Sequence, residues 1–208
     1  MSTYGDLKTQ IASDLRRSNL GPEIAQAILD AIRDHDSERF WWNETAIYTL
    51  NTVVGQDTYE LNPQPPILEF VLIDRLRAQI PGVWYTVKPA TIDQIEDLYS
   101  TPSNGQPARW AVHGNEIRIY PYPAAIYPIK IFGHYRLMPL VLDSDSNQWT
   151  NEGKNLIRYT ALRRLFAFPI RDMNQMQSAE ASGLRQLEYL RRESDRRARE
   201  GRMKAYYG

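Results

Sequence analysis

Near the start of the chain Tyr4, Leu7, Ile11 and Leu15 recur every three or four positions, which places them on one stripe of an α-helix. Thr3 and Asp6 have capping-box spacing, so the helix begins there and is expected to stop near Asn19. Gly21-Pro22 opens a second helix, because proline is tolerated where the first amide has no partner. Ile24, Ala27, Ile28, Ala31 and Ile32 mark its buried face, and the pattern runs on toward Phe40-Trp41-Trp42, giving a helical hairpin.

From Tyr48 the period becomes two, through Leu50, Thr52 and Val54, which predicts β structure. Gly55-Gln56-Asp57 predicts a turn and 58–61 a short strand. Asn62-Pro63-Gln64-Pro65-Pro66 is then a stiff connection to the apolar run 67–76, with a further strand at 83–87. Thr91 and Gln94 repeat the capping-box spacing ahead of a short helix carrying Ile92, Ile95 and Leu98. After a segment at 100–107 expected to be flexible, 109–113 and 116–120 flank Gly114-Asn115, which supply the positive φ values of a two-residue hairpin turn.

Pro121, Pro123 and Pro128 confine the next stretch to edges or turns, before alternation resumes at Ile129, Ile131, Gly133 and Tyr135. The polar segment 143–147 ends the β region. Helical spacing returns with Leu156, Tyr159, Ala161, Leu162, Leu165 and Phe166, and Pro169 bounds that helix by disfavouring the helical conformation at Phe168. A last helix buries Met173, Met176, Leu184, Leu187 and Leu190, with Gly183 weakening it by about 1 kcal/mol relative to alanine.

The order predicts an α+β fold in which an antiparallel helical bundle, two N-terminal and two C-terminal helices, is interrupted by a β-rich insertion. The expected boundaries are 1–45 and 143–190 for the helical domain, 46–142 for the insertion and 191–208 for a basic C-terminal tail. The absence of cysteine excludes disulfides and thiolate metal sites and fits a reducing compartment. No basic segment followed by an apolar run opens the chain, and no stretch approaches the ~18 apolar residues of a membrane span, so neither export by a signal peptide nor a membrane is expected.

Formal charge is zero, with 25 basic and 25 acidic residues, but the ends differ. Between 191 and 204 stand seven basic and three acidic residues, a local +4 that leaves −4 for the preceding 190. Past Leu190 no apolar stripe remains, so the segment is expected to fray and stay available to a partner. Arg191, Arg192, Arg196, Arg197, Arg199, Arg202, Lys204, Tyr206 and Tyr207 are its candidate contact residues, since arginine and tyrosine favour interface cores. The competing reading is a solvated helix end braced by pairs such as Glu193 with Arg197. A nucleic-acid-binding tail is an alternative that the interspersed acids and a pI near 6.8 disfavour.

Asp34-His35-Asp36 with Glu38 holds metal-ligand residue types, but Arg39 stands where a second ligand should be, and a solvated helix face is the simpler reading. His113 and His134 fall in predicted strands as structural histidines. Phosphate loops, nucleophile elbows and zinc signatures are missing, so catalytic, cofactor and metal residues are all assigned as none. Distant paired carboxylates of the glycan-hydrolase kind stay open. Of Phe40, Trp41, Trp42 and Trp149, most should be core, with one tryptophan left for a neighbour.

Several stretches together resemble the head-to-tail adaptors of tailed bacteriophages, the group that includes podovirus tail accessory factors. They are Tyr4-Gly5-Asp6-Leu7 onward, Ile28-Leu29-Asp30-Ala31-Ile32 through Arg39-Phe40-Trp41-Trp42, the hairpin from Trp110 to Pro121, and Asn155-Leu156-Ile157-Arg158-Tyr159 onward. The resemblance implies a structural, cofactor-free virion subunit made in the bacterial cytoplasm. It implies a homo-oligomeric ring of twelve at the head–tail neck, with helices as its wall and the C-terminal segment reaching the portal protein. The β insertion would meet tail or nozzle proteins or neighbouring copies, and DNA would pass through the channel without sequence-specific contact.

Overall fold

The computed structural model describes residues 1–61, 69–99 and 103–204. Among them are six α-helices and nine strands, a mixed α+β fold with one large curled sheet. The expected connection at 62–66, the start of the apolar run at 67 and 68, and residues 100–102 lie outside the described residues. The chain divides into two compact units, residues 1–42 with 137–208, and residues 43–136.

In the first unit, α1 (Tyr4–Leu15) starts on a capping box in which the Asp6 amide donates to Thr3 Oγ1 at 3.1 Å and the Thr3 amide to the Asp6 carboxylate at 2.9 Å. Its whole apolar stripe is buried. The helix stops short of Asn19, because Arg16 turns into the left-handed region at φ 51° and its amide closes the last turn. α2 (Gly21–His35) has Pro22 in its first turn and buries Ile24, Ala27, Ile28 and Ala31.

α2 ends at His35 and does not run into the aromatic block. Phe40 and Trp42 instead turn inward from a non-helical segment. Phe40 stacks on Trp42 with centroids 4.6 Å apart, and both meet the edge of Trp149 at 5.8 Å. Each such pair adds about 0.5–1.5 kcal/mol beyond the area it buries. Trp149 sits on α4 (Gln148–Asn151), a single turn capped by Asn147.

α5 (Lys154–Leu165) packs against α1, α2, α4 and α6 (Met173–Lys204). Between α5 and α6 the chain makes one wide π-type turn, Phe166–Ile170, within which Phe168 is extended (φ −159°, ψ 130°), as the proline after it requires. α6 departs from expectation in its face. Met173 and Leu184 are each 59% exposed, and the buried positions are Ala179, Gly183 and Leu190, with Leu187 partly covered. Small residues lie against α5 because they let the two backbones approach closely.

In the second unit, a seven-stranded sheet has the order β1-β9-β3-β4-β6-β7-β2. Its strands are β1 (Glu44–Asn51), β2 (Thr58–Glu60), β3 (Glu69–Ile80), β4 (Val83–Pro89), β6 (Arg109–His113), β7 (Glu116–Tyr120) and β9 (Pro128–Arg136). β5 (Asn104–Gly105) and β8 (Tyr122–Pro123) form a separate short pair. All neighbours in the large sheet are antiparallel except β4 and β6, which the helix α3 (Ile92–Tyr99) joins as a crossover, packing on β6 and β7.

α3 carries the expected cap, with the Thr91 amide and Gln94 Oε1 3.2 Å apart and the reciprocal contact at 3.3 Å. The β6–β7 hairpin pairs His113 with Glu116 across a two-residue turn, but only Gly114 has positive φ (59°), so the turn needs one such residue and not two. Leu76, Ala78, Val87, Ile117, Ile119, Ile129 and Ile131 form the core on one side of the sheet.

Two glycines give opposite expectations. A Cβ on Gly133 would lie 2.1 Å from the Leu72 carbonyl oxygen, beside register shifts in β3. Gly133→Ala should therefore cost about 2 kcal/mol or more in chemical denaturation. At Gly183 the nearest atom to an added Cβ is 3.7 Å away, so Gly183→Ala should instead stabilise by up to about 1 kcal/mol.

Candidate partner interface on the last helix

α6 is one continuous helix through Lys204, so the segment from 191 does not begin a separate tail. The expectation that it has nothing of its own unit to bind is corrected by a set of polar contacts, which sequence periodicity cannot register because none is apolar. Arg191 grips Glu38 with both Nε, at 3.0 Å, and Nη2. Ser194 Oγ accepts the Trp41 amide at 3.3 Å and donates to the Leu190 carbonyl at 2.8 Å. The Arg197 guanidinium lies 4.2 Å over the Trp41 ring. One tryptophan was expected to be left for a neighbour; Trp41, less buried than Trp42 and Trp149, is partly covered by the chain's own arginine.

Electrostatics braces the same turn. Glu193 accepts hydrogen bonds from Arg196 (2.9 and 2.6 Å) and Arg197 (2.7 Å), the pairing of the solvated-helix reading. Those contacts, Arg196's first, hold its carboxyl at about 2. The hydrogen bonds to Glu38 push Arg191 further up.

Of the nine candidate contact residues, Arg191, Arg196 and Arg197 are therefore engaged within the unit. Arg192 is exposed and reaches Glu188 at 3.4 Å, and Arg199 is exposed. Arg202 and Lys204 stand in the last turns of α6, and Tyr206 and Tyr207 lie outside the described residues. Carboxylates between and before the arginines take up four of the six, which weakens a phosphate-binding reading.

The acidic cluster after α2 is dispersed. Asp34 binds Arg164 at 2.7 and 2.8 Å, and His35 Nε2 lies 3.2 Å from Thr160 Oγ1, where burial pushes its pKa down. No group of three or more potential metal ligands occurs among the described residues. A cleft of about 230 Å³ beside His35 and Thr160 is smaller than the roughly 300–1,000 Å³ of small-molecule sites.

Among the described residues the carboxyls displaced from their ordinary values are displaced downward: Asp6 and Asp145 by backbone amides, Asp57 against its burial by Arg118 and Thr58, and Glu193 as above. A glycan hydrolase needs the opposite in its acid. No helix among the described residues is long and apolar enough to cross a membrane.

The pattern of the chain matches the SU10 adaptor protein family over residues 2–205. The chain belongs to that family. Its members are bacteriophage head–tail adaptors, structural components of the virion, and this kind of adaptor interacts with portal and tail proteins. No curated protein matches the chain. In this SU10-type adaptor the signal for the α6 contacts lay in single residues, Glu38 and Trp41, that nothing in the local sequence pairs with Arg191 and Arg197.

A carboxyl held low stabilises the fold above its unfolded value, here 4.5, and that contribution is lost as pH falls through about 2. Amide-exchange protection of 191–197 should accordingly fall as pH is lowered from 4.5 toward 2. In Glu193→Gln it should be lower from the start and should change little over that window.

Proposed function

We propose that this adaptor forms the ring between portal and tail at the phage neck, a dodecamer in which α1, α2, α5 and α6 stand as an antiparallel bundle in the ring wall. The C-terminal part of α6 is the portal-facing element. One observation supports that role most directly: α6 continues for 14 residues beyond Leu190, the last of its described side chains to be buried, and that stretch is rich in cations.

The contacts to Glu38 and Trp41 give this arm a fixed direction before a partner arrives, so less ordering is left for binding to supply. Arg192, Arg199, Arg202, Lys204, Tyr206 and Tyr207 then supply the portal contact, while Arg191, Arg196 and Arg197 hold the arm's base. The β unit meets tail or nozzle proteins or the next copy. DNA passes through the channel without sequence-specific contact, and the subunit is made in the host cytoplasm and performs no catalysis.

The test is a truncation ending at Leu190. It keeps every side chain of α6 described as buried and should lose only the helical circular-dichroism signal of the 14 helical residues removed, yet lose affinity for purified portal by more than about tenfold, or 1.4 kcal/mol. Unchanged affinity would show that the arm is not the portal contact.

A further inference from the structure

The β unit holds a separation of charge that portal binding by α6 leaves unused. Residues 43–136 hold nine carboxylates and seven cations, and five of those cations project from one side of the sheet without a carboxylate partner, a side that Arg118, paired with Asp57 and Glu96, shares. Arg75 and Arg77 on β3, Lys88 on β4, Arg109 on β6 and Lys130 on β9 alternate with buried Leu76, Ala78, Val87, Trp110 and Ile129, so they point away from the core. Register brings them together, with Lys130 opposite Arg77 and Lys88 beside Arg109.

Among the described residues none of the five pairs with a carboxylate. Arg75 lies 4.4 Å over the Phe132 ring and Lys130 4.2 Å over Trp84. Arg77 Nη2 donates to the Trp84 carbonyl at 2.9 Å, while its Nε is buried with no partner. Arg118 on β7, by contrast, is held by Asp57 and Glu96, so the unpaired cations of this unit's sheet gather on β3, β4, β6 and β9.

The complementary excess stands on the last two strands of the order, β7 and β2. β2 is an edge strand, and its Glu60 lies directly opposite Glu116 of β7. Like charges facing one another across neighbouring strands repel, and a cation between them removes the penalty. Their neighbours Tyr59 and Ile117 are buried, so both carboxylates also point away from the core, and neither has an ion-pair partner among the described residues.

We infer that the cationic face of β3, β4, β6 and β9 in one copy receives the Glu60–Glu116 carboxylate pair of the next copy. The inference rests on the ring reading above and names the surface that joins its members. A closed ring needs two different, mutually complementary patches on each subunit, and this sheet carries a cationic one across β9, β3, β4 and β6 and an anionic one on β7 and the edge strand β2. Opposite potentials on the two patches also fix which way neighbours face.

The chain has no cysteine, so Thr86→Cys beside Arg77 and His113→Cys beside Glu116, placed in one full-length chain, report adjacency through a short bis-maleimide. In the presence of purified portal this chain should give a ladder of covalent multimers. Adding Arg75→Glu and Lys130→Glu should cut ladder yield by more than about tenfold, and adding Glu60→Lys and Glu116→Lys to that reversed chain should restore it. Circular dichroism checks that each variant folds.

Copies that load onto portal without a ladder would overturn this surface and leave the ring intact. Failure of the wild-type chain to load onto portal at all would overturn the ring and this inference with it. An unchanged ladder in the reversed variant, with loss only of salt-sensitive binding to duplex DNA, would reassign the cationic face to nucleic acid.

Discussion

The enclosure of α5 is the constraint on which the helical unit depends. Leu156, Ile157, Thr160, Ala161, Leu162 and Leu165 are buried, and consecutive positions such as Leu156-Ile157 or Ala161-Leu162 cannot all face one neighbour. Its buried positions spread round the helix because α1, α2, α4 and α6 pack against it from several sides. Each buried leucine or isoleucine contributes about 1.5–3 kcal/mol. Polar clamps set the helices around that axis: Arg158 on Asp14 at 2.6 Å, Arg164 on Asp34, and Arg191 on Glu38. These are half-exposed, two-pronged pairs, which give direction more than net stability.

Much of this was legible in the sequence where one element's pattern sufficed. The α1 stripe, both threonine caps and the β6–β7 hairpin depend on residues within a few positions of each other, and local spacing decides them. The face of α6 was not legible. Leu184 looks like core by composition, but the close approach of α5 at Gly183 selects the small side chains and leaves the leucine outside. The end of α2 was misread because Phe40 and Trp42 are buried as a helix face would be, although what fixes them is Trp149, more than a hundred residues away.

The interface on α6 was half legible for the same reason. Charge counting finds the arginines, and helical spacing finds Glu193 with Arg197. Neither finds that Glu38 and Trp41 are waiting for Arg191 and Arg197, because that match exists only after α2 and α6 are brought side by side. A net charge of zero hides the rest: five cations scattered along the sequence of the β unit become visible as one set only when strand register gathers them on one surface.

The length of α6 beyond its final anchor has a mechanical consequence. Fourteen residues at 1.5 Å each make a lever of roughly 21 Å, so a tilt of about 10° at Leu190 would swing its end by roughly 4 Å, a full side-chain width. The Glu38 and Trp41 contacts sit in the first two turns after the pivot, where a small hold has the greatest effect on aim. Accuracy at the far tip is therefore decided near the hinge, by residues that need never touch whatever the tip meets.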